Sequence, residues 1–90
     1  MLILFKSRVK KQLKNVPKHI EEKFWSLVKE MKKNPIPARK FDIEKLKGYE
    51  HTYRVRLGGY RVIYELRVKE GKIIIHAILS RERAYKKSVR

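Results

Sequence analysis

The sequence predicts an α+β fold. An N-terminal strand precedes an antiparallel helical hairpin, which packs on one face of a mainly antiparallel sheet of about four strands, and a basic C-terminal tail closes the chain. Three observations predict it. Apolar and polar residues alternate through residues 53–64, and again through 72–80, the period of strands with one buried face. Ile20, Phe24, Leu27, Val28 and Met31 recur at helical spacing and make an apolar stripe. A second helical run, with Val9, Leu13 and Val16, stops just before Pro17, so almost no chain separates the two helices and they must fold back on each other.

Taken in order, Leu2 to Lys6 is a short strand and Ser7 is a candidate N-cap for the first helix, which runs to about residue 16. Pro17 suits the first turn of the second helix, expected from about 17 to 33. Glu21 and Glu22 lie near its start and Lys29, Lys32 and Lys33 near its end, which matches the helix dipole. Trp25, off the stripe centre, reads as boundary core. Asn34-Pro35-Ile36-Pro37 ends the helix. Residues 38–52 carry no clear period. Phe41, Ile43 and Leu46 are expected to tuck under the sheet from a loop with one helical turn, leaving Asp42 and Glu44 in that loop.

The organising stretch is residues 53–64. Gly58-Gly59 between two alternating runs predicts a two-residue hairpin, since such turns need positive φ values that glycine takes cheaply. Counting outward pairs Leu57 with Tyr60, Val55 with Val62 and Tyr53 with Tyr64 on the apolar face. On the reverse face Arg56 stands opposite Arg61, and Arg54 lies beside Ile63. Glu70-Gly71 signals a second tight turn, and counting from it sets Ile74 opposite Arg67, His76 opposite Glu65, Ile78 opposite Ile63 and Ser80 opposite Arg61. Ile73, Ile75, Ala77 and Leu79 then face the core, while Ile63, Ile74 and Ile78 form an apolar strip among the basic residues. Such a strip calls for a cover from the tail or a partner.

Ninety residues make one domain, 1–90, with 42% apolar residues for a small core. With no cysteine, neither disulfides nor a zinc-thiolate centre can staple it. Twenty-five Lys and Arg against nine Asp and Glu leave a formal charge of +16, which points to nucleic acid, an anionic membrane or an acidic protein partner. The apolar opening, residues 1–5, is too short for a signal peptide or a membrane span, so a cytoplasmic protein with no membrane contact is expected.

The chemistry-bearing residues are mostly arginines. No Gly-rich phosphate loop is present, and His19, His51 and His76 lack metal-ligand spacing. No nucleophile triad can be assembled, and His76 reads as a cross-strand partner of Glu65. What remains is Arg54, Arg56, Arg61, Arg81, Arg83 and Tyr85. Guanidinium groups match phosphate geometry and stabilise charge building on a phosphate under in-line attack. They are poor proton carriers, which leaves Tyr85 as the group able to exchange a proton or stack on a base. An ordinary solvated strand face would share much of this pattern.

Lys45-Leu46-Lys47-Gly48, residues 53–57, residues 59–64 and the terminal Arg81-Glu82-Arg83-Ala84-Tyr85 together resemble the RelE-type toxins of prokaryotic toxin–antitoxin pairs, within the RelE/ParE superfamily. The resemblance spans almost the whole chain. It implies a ribosome-dependent mRNA endoribonuclease that cuts A-site codons without metal or cofactor, by attack of the 2′-hydroxyl on the scissile phosphate. It also implies a wrapping RelB-type antitoxin, with the complex binding operator DNA. By motif, Arg61 matches the phosphate-binding arginine, Arg81 or Arg83 the tail arginine and Tyr85 the tail tyrosine. Arg54 and Arg56 take the two basic strand positions, and Lys45 and Lys47 add RNA contacts. The family's best-studied pattern has lysines where Arg54 and Arg56 stand. Arginines hold their protons, so the resemblance names no general base. Two alternatives share the scaffold: a ParE-like toxin that poisons DNA gyrase, and a basic nucleic-acid-binding domain with no activity.

Overall fold

The computed structural model describes residues 1–81. Strand β1 (Leu2–Phe5) leads into helices α1 (Ser7–Leu13) and α2 (Lys18–Met31), followed by β2 (Asp42–Lys45), β3 (Thr52–Leu57), β4 (Tyr60–Arg67) and β5 (Lys72–Ser80). The α+β architecture is the expected one, with five strands rather than about four, in the order β1-β5-β4-β3-β2. β1 runs parallel to β5 and every other pairing is antiparallel.

The additional strand is β2, drawn from the stretch expected to be a loop. Its ladder sets Asp42 against Arg56, Ile43 against Val55, Glu44 against Arg54 and Lys45 against Tyr53. Four residues with one central apolar side chain give too short a period to read alone. Carboxylates meeting arginines across the ladder supply what the apolar pattern lacks. Phe41 and Ile43 do pack against the core, as expected.

Both helices cover one sheet face. Val9 of α1 and Ile20, Phe24, Leu27, Val28 and Met31 of α2 close over Val55, Leu57, Val62, Tyr64, Leu66, Ile73, Ile75 and Ile78 in one buried cluster. Burying such side chains contributes roughly 1.5–3 kcal/mol each. Trp25 is half-exposed at the edge, its ring 5.0 Å from Phe24 and 5.8 Å from Phe5, which places it at the core boundary as read from sequence. The helices are shorter than predicted. Ser7 is the first helical residue of α1, with Lys6 at the N-cap position and no side-chain cap, and Pro17 occupies the N-cap position of α2.

Helix α1 also finishes the sheet. β1 ends at Phe5, opposite Ile75, and leaves the outer edge of β5 open beyond that point. There the Arg8 Nε donates to the His76 carbonyl at 2.9 Å and the Ile78 N–H donates to the Gln12 Oε1 at 2.9 Å. Two helix side chains thus satisfy edge groups that would otherwise need another strand.

The β3–β4 hairpin has the counted register, including Arg56 against Arg61 and Arg54 against Ile63. Of its two glycines, Gly58 takes the positive φ, +58°. The second hairpin differs from the count. A single 3-10 turn over Val68–Glu70, closed by Gly71 at φ +66°, replaces the tight turn and moves Glu65 opposite Ile74 and Arg67 opposite Lys72. A bulge then shifts the ladder, so that Tyr64 pairs with Ile75 but Ile63 pairs with Ala77. The extra residue is His76. Beyond it the facing reverses: Ile78 turns into the core, whereas Ala77 and Leu79, expected there, lie on the opposite face. The apolar strip on that face is therefore Ile63, Ile74, Ala77 and Leu79, without Ile78.

Candidate nucleic-acid interface

The sheet face turned away from the helices carries the arginines. β3 supplies Arg54 and Arg56, and β4 supplies Arg61, directly opposite Arg56. β5 ends beside them: the Arg81 backbone N–H donates to the Gly59 carbonyl at 2.7 Å, which ties the start of the tail to the hairpin turn. Four cations, three on β3 and β4 and one just past β5, thus lie between the middle of the sheet and its Gly58-Gly59 end. Alternation alone puts the first three on one side, and the hairpin fixes their register.

These four are not equivalent. Arg54 Nη2 lies 2.8 Å from Glu44 Oε2 and 3.9 Å from Asp42 Oδ1, and Arg56 Nε lies 3.7 Å from Asp42 Oδ2. Among the described residues Arg61 has no carboxylate at ion-pair distance, although the Asp42 charge acts on it favourably. Its Nη1, like that of Arg54, is buried without a hydrogen-bond partner among the described residues. Desolvation, and after it the charges of Arg56, Arg54 and Arg81, hold the Arg61 guanidinium below its usual range. A cation with a buried donor and three like-charged neighbours is arranged to receive an anion.

Lys45 and Lys47 lie apart from this group. Lys45 is in register with Tyr53, on the helix side of the sheet, and both lysines line a shallow depression on the β2–β3 loop with Leu46, Gly48, Tyr49 and Glu50. Arg83 and Tyr85 fall outside the described residues.

Asp42 and Glu44 are the participants that sequence reading passed over. The available signal was the short alternation Asp42-Ile43-Glu44 beside the equally alternating Arg54-Val55-Arg56. Further along the same face, His76 Nε2 lies 2.9 Å from Glu65 Oε1, so the expected pair does meet, carried there by the bulge rather than by the counted register. Arg67 Nε binds the other oxygen of Glu65 at 3.0 Å. These two bonds, the Arg67 one foremost, hold the Glu65 carboxyl below the usual carboxylate range.

Among the described residues no group of three or more His, Cys, Asp or Glu side chains is placed to hold a metal ion, and no helix is long and apolar enough to cross a membrane.

Comparison with known proteins places this scaffold. The family described as the ParE toxin of type II toxin–antitoxin systems, parDE, matches residues 3–85. Over 79 residues the chain is 48% identical to the putative toxin RelE1 of Methanocaldococcus jannaschii, covering 88% of each. It is 37% identical over 86 residues to toxin RelE3 of the same organism, covering 94% of this chain and 96% of that one. The archaeal RelE–RelB complex from Pyrococcus horikoshii OT3 contains a chain of 34% identity that superposes with a TM-score of 0.80, covering 91% of this chain and 96% of that one. A RelB–RelE complex from Methanococcus jannaschii gives 33% identity and a TM-score of 0.82, with 93% and 96% covered. A sheet with two helices on one face and a row of arginines on the other, matched over nearly its full length in sequence and structure, belongs to the RelE/ParE family of type II toxin–antitoxin toxins.

Proposed function

We propose that this chain is a RelE-type mRNA interferase: a ribosome-dependent endoribonuclease that cuts the codon displayed in the A site and is held inactive by a RelB-type antitoxin. The observation that carries the reading is Arg61, its buried Nη1 without a partner among the described residues and the group crowded by Arg54, Arg56 and Arg81. A phosphate seated there would relieve the repulsion and satisfy the buried donor together.

In the proposed reaction the 2′-oxygen of the RNA attacks the adjacent phosphorus, the bond to the 5′-oxygen breaks, and a cyclic phosphate and a 5′-hydroxyl result. The 2′-hydroxyl loses a proton and the departing 5′-oxygen gains one. Arg61 and the tail arginine, Arg81 or Arg83, hold the phosphate and stabilise the charge that builds on it, so guanidinium groups supply the cation that a metal would otherwise supply. Tyr85 orients a base or assists proton transfer. Arg54 and Arg56 steer the RNA backbone, with Lys45 and Lys47 as outlying contacts. A ribosomal substrate also makes the protein cytoplasmic.

The antitoxin assignment is supported by relatives of 33–34% identity crystallised as RelE–RelB complexes. Binding of operator DNA through such a complex belongs to the same reading. The ParE description of the matching family keeps a gyrase-poisoning toxin as the second reading, while the two RelE relatives favour RNA cleavage. One experiment separates them. The chain is induced in cells and a reporter message is mapped by primer extension, beside the Arg61→Ala/Arg83→Ala variant. Cut sites in translated codons that vanish in the variant support the interferase. A DNA-damage response with intact message supports the gyrase poison, and undiminished cutting by the variant rejects the site.

A further inference from the structure

β2 adds two carboxylates to a face otherwise rich in arginine. Glu44 Oε2 binds Arg54 Nη2 at 2.8 Å, while Asp42 approaches both Arg54 and Arg56. The burial is asymmetric. The Arg54 side chain is only 13% exposed, whereas those of Glu44 and Asp42 are 73% and 56% exposed. An arriving phosphate would therefore meet the carboxylates before it reaches Arg54. Among the described residues Arg61 on the same face has no carboxylate partner, so the described guanidinium groups of one surface fall into a withheld pair and an open one.

We propose that Asp42 and Glu44 form an internal anionic strap that competes with RNA phosphate for Arg54, so that edge strand β2 sets how many guanidinium groups the surface offers. The inference rests on the reading of this face as an RNA-binding surface. Carboxylate and phosphate oxygens satisfy the same guanidinium donors in the same manner, so one can replace the other at Arg54. Glu44 sits largely in water and swings aside at little cost, because exposed ion pairs are weak. Glu44 and Asp42 act here as positioning residues that touch the arginines and not the reacting atoms.

The test is equilibrium binding of the full-length chain to a fluorescein-labelled single-stranded 2′-O-methyl oligouridine, a probe that cannot be cleaved, at about 50 mM and about 200 mM salt. Glu44→Gln keeps the size and removes the charge. Its melting temperature is recorded alongside, and Glu22→Gln, exposed on α2, controls for net charge. The expected result is tighter binding by Glu44→Gln, with the slope of log affinity against log salt steeper by about 0.7, the increment for one added phosphate contact to a single strand. A slope change of that size makes the variant's advantage shrink about 2.6-fold between the two salt concentrations. The gain must disappear when Arg54→Gln is already present. A gain no larger than that of Glu22→Gln, or one that survives without Arg54, overturns the strap. Arg61→Gln separates the two levels of inference. If it weakens binding while Glu44→Gln gains nothing, the strap fails and the RNA surface stands. If it leaves binding unchanged, the RNA surface fails and the strap with it.

Discussion

Replacing Arg61 by Met should make the protein more stable and abolish the proposed RNA cleavage. The side chain sits directly across β3–β4 from Arg56, an arrangement of like charges that costs up to about 1 kcal/mol. Its Nη1 is buried with no partner among the described residues, and an unpaired buried donor costs about 1–3 kcal/mol. Arg61 is half-buried, so water screens part of both effects and the lower end applies. Methionine keeps an unbranched apolar stem and drops the charge, for a net gain of about 1 kcal/mol. In a domain of this size that gain raises the melting temperature by about 4–8 °C. Scanning calorimetry at low ionic strength measures it. Added salt should narrow the gap, because screening relieves the repulsion in the parent alone. A variant that melts at or below the parent at low salt would refute the reasoning, since Arg61 would then be held by favourable contacts.

Gly58→Val should lower the urea midpoint, with a loss of about 1–2 kcal/mol: the position has φ +58° and a Cβ there would stand 3.1 Å from Ile20 Cδ1. Tyr64→Phe should cost about 1 kcal/mol, because the hydroxyl donates to the Pro35 carbonyl at 2.9 Å and anchors the segment after α2, again read by urea melting. Burial also pushes the Tyr64 hydroxyl well above the ordinary tyrosine range, so alkaline absorbance titration should leave it un-ionised until the protein unfolds. Bonds to Arg67 and His76 hold the Glu65 carboxyl below the ordinary carboxylate range, so their stabilising effect is complete above the ordinary carboxylate pKa and is lost as the pH falls below it. Thermal melts of the parent and Glu65→Gln should therefore differ near neutral pH and converge as the pH falls below the ordinary carboxylate range.

The parts legible in the sequence were those governed by a single repeating period. Ile20, Phe24, Leu27, Val28 and Met31 are buried as the stripe requires, and the Gly58-Gly59 count gave the β3–β4 register residue by residue. Where periods compete, reading failed. An alternation count assumes one residue per rung, and His76 breaks that assumption inside an unbroken apolar-rich strand with no glycine or proline to mark it. One unseen residue was enough to exchange Ala77 and Leu79 for Ile78 in the core. β2 was hidden for a different reason. Its place on the sheet comes from a short backbone ladder, Ile43 and exposed ion pairs to β3, and such a match lies in two distant segments at once, not in the period of either. The same blindness touched the site: the arginines were visible individually, but that Arg54 and Arg56 have carboxylate partners and Arg61 has none among the described residues is a property of the pairing.

That pairing gives the arginine face a direction. Nine acidic residues among twenty-five basic ones cannot neutralise the surface, so where they sit determines where positive potential remains. At the end of β4 far from the hairpin, Glu65 and Glu70 engage Arg67, Lys72 and His76. Midway, Glu44 and Asp42 engage Arg54 and, more loosely, Arg56. At the Gly58-Gly59 end Arg61 has no carboxylate partner among the described residues, and Arg81 adds a like charge. Cationic character therefore grows along the sheet toward the turn where β5 hands over to the tail. A polyanion drawn by the overall charge would be guided to that end, because elsewhere it must displace a carboxylate and at Arg61 no carboxylate of the described residues is in ion-pair contact. Specificity of placement then follows from the scarcity of acids as much as from the abundance of arginines. Moving one acid to the hairpin end, as in Leu79→Glu opposite Arg61, should weaken the proposed RNA binding while relieving the repulsion around Arg61.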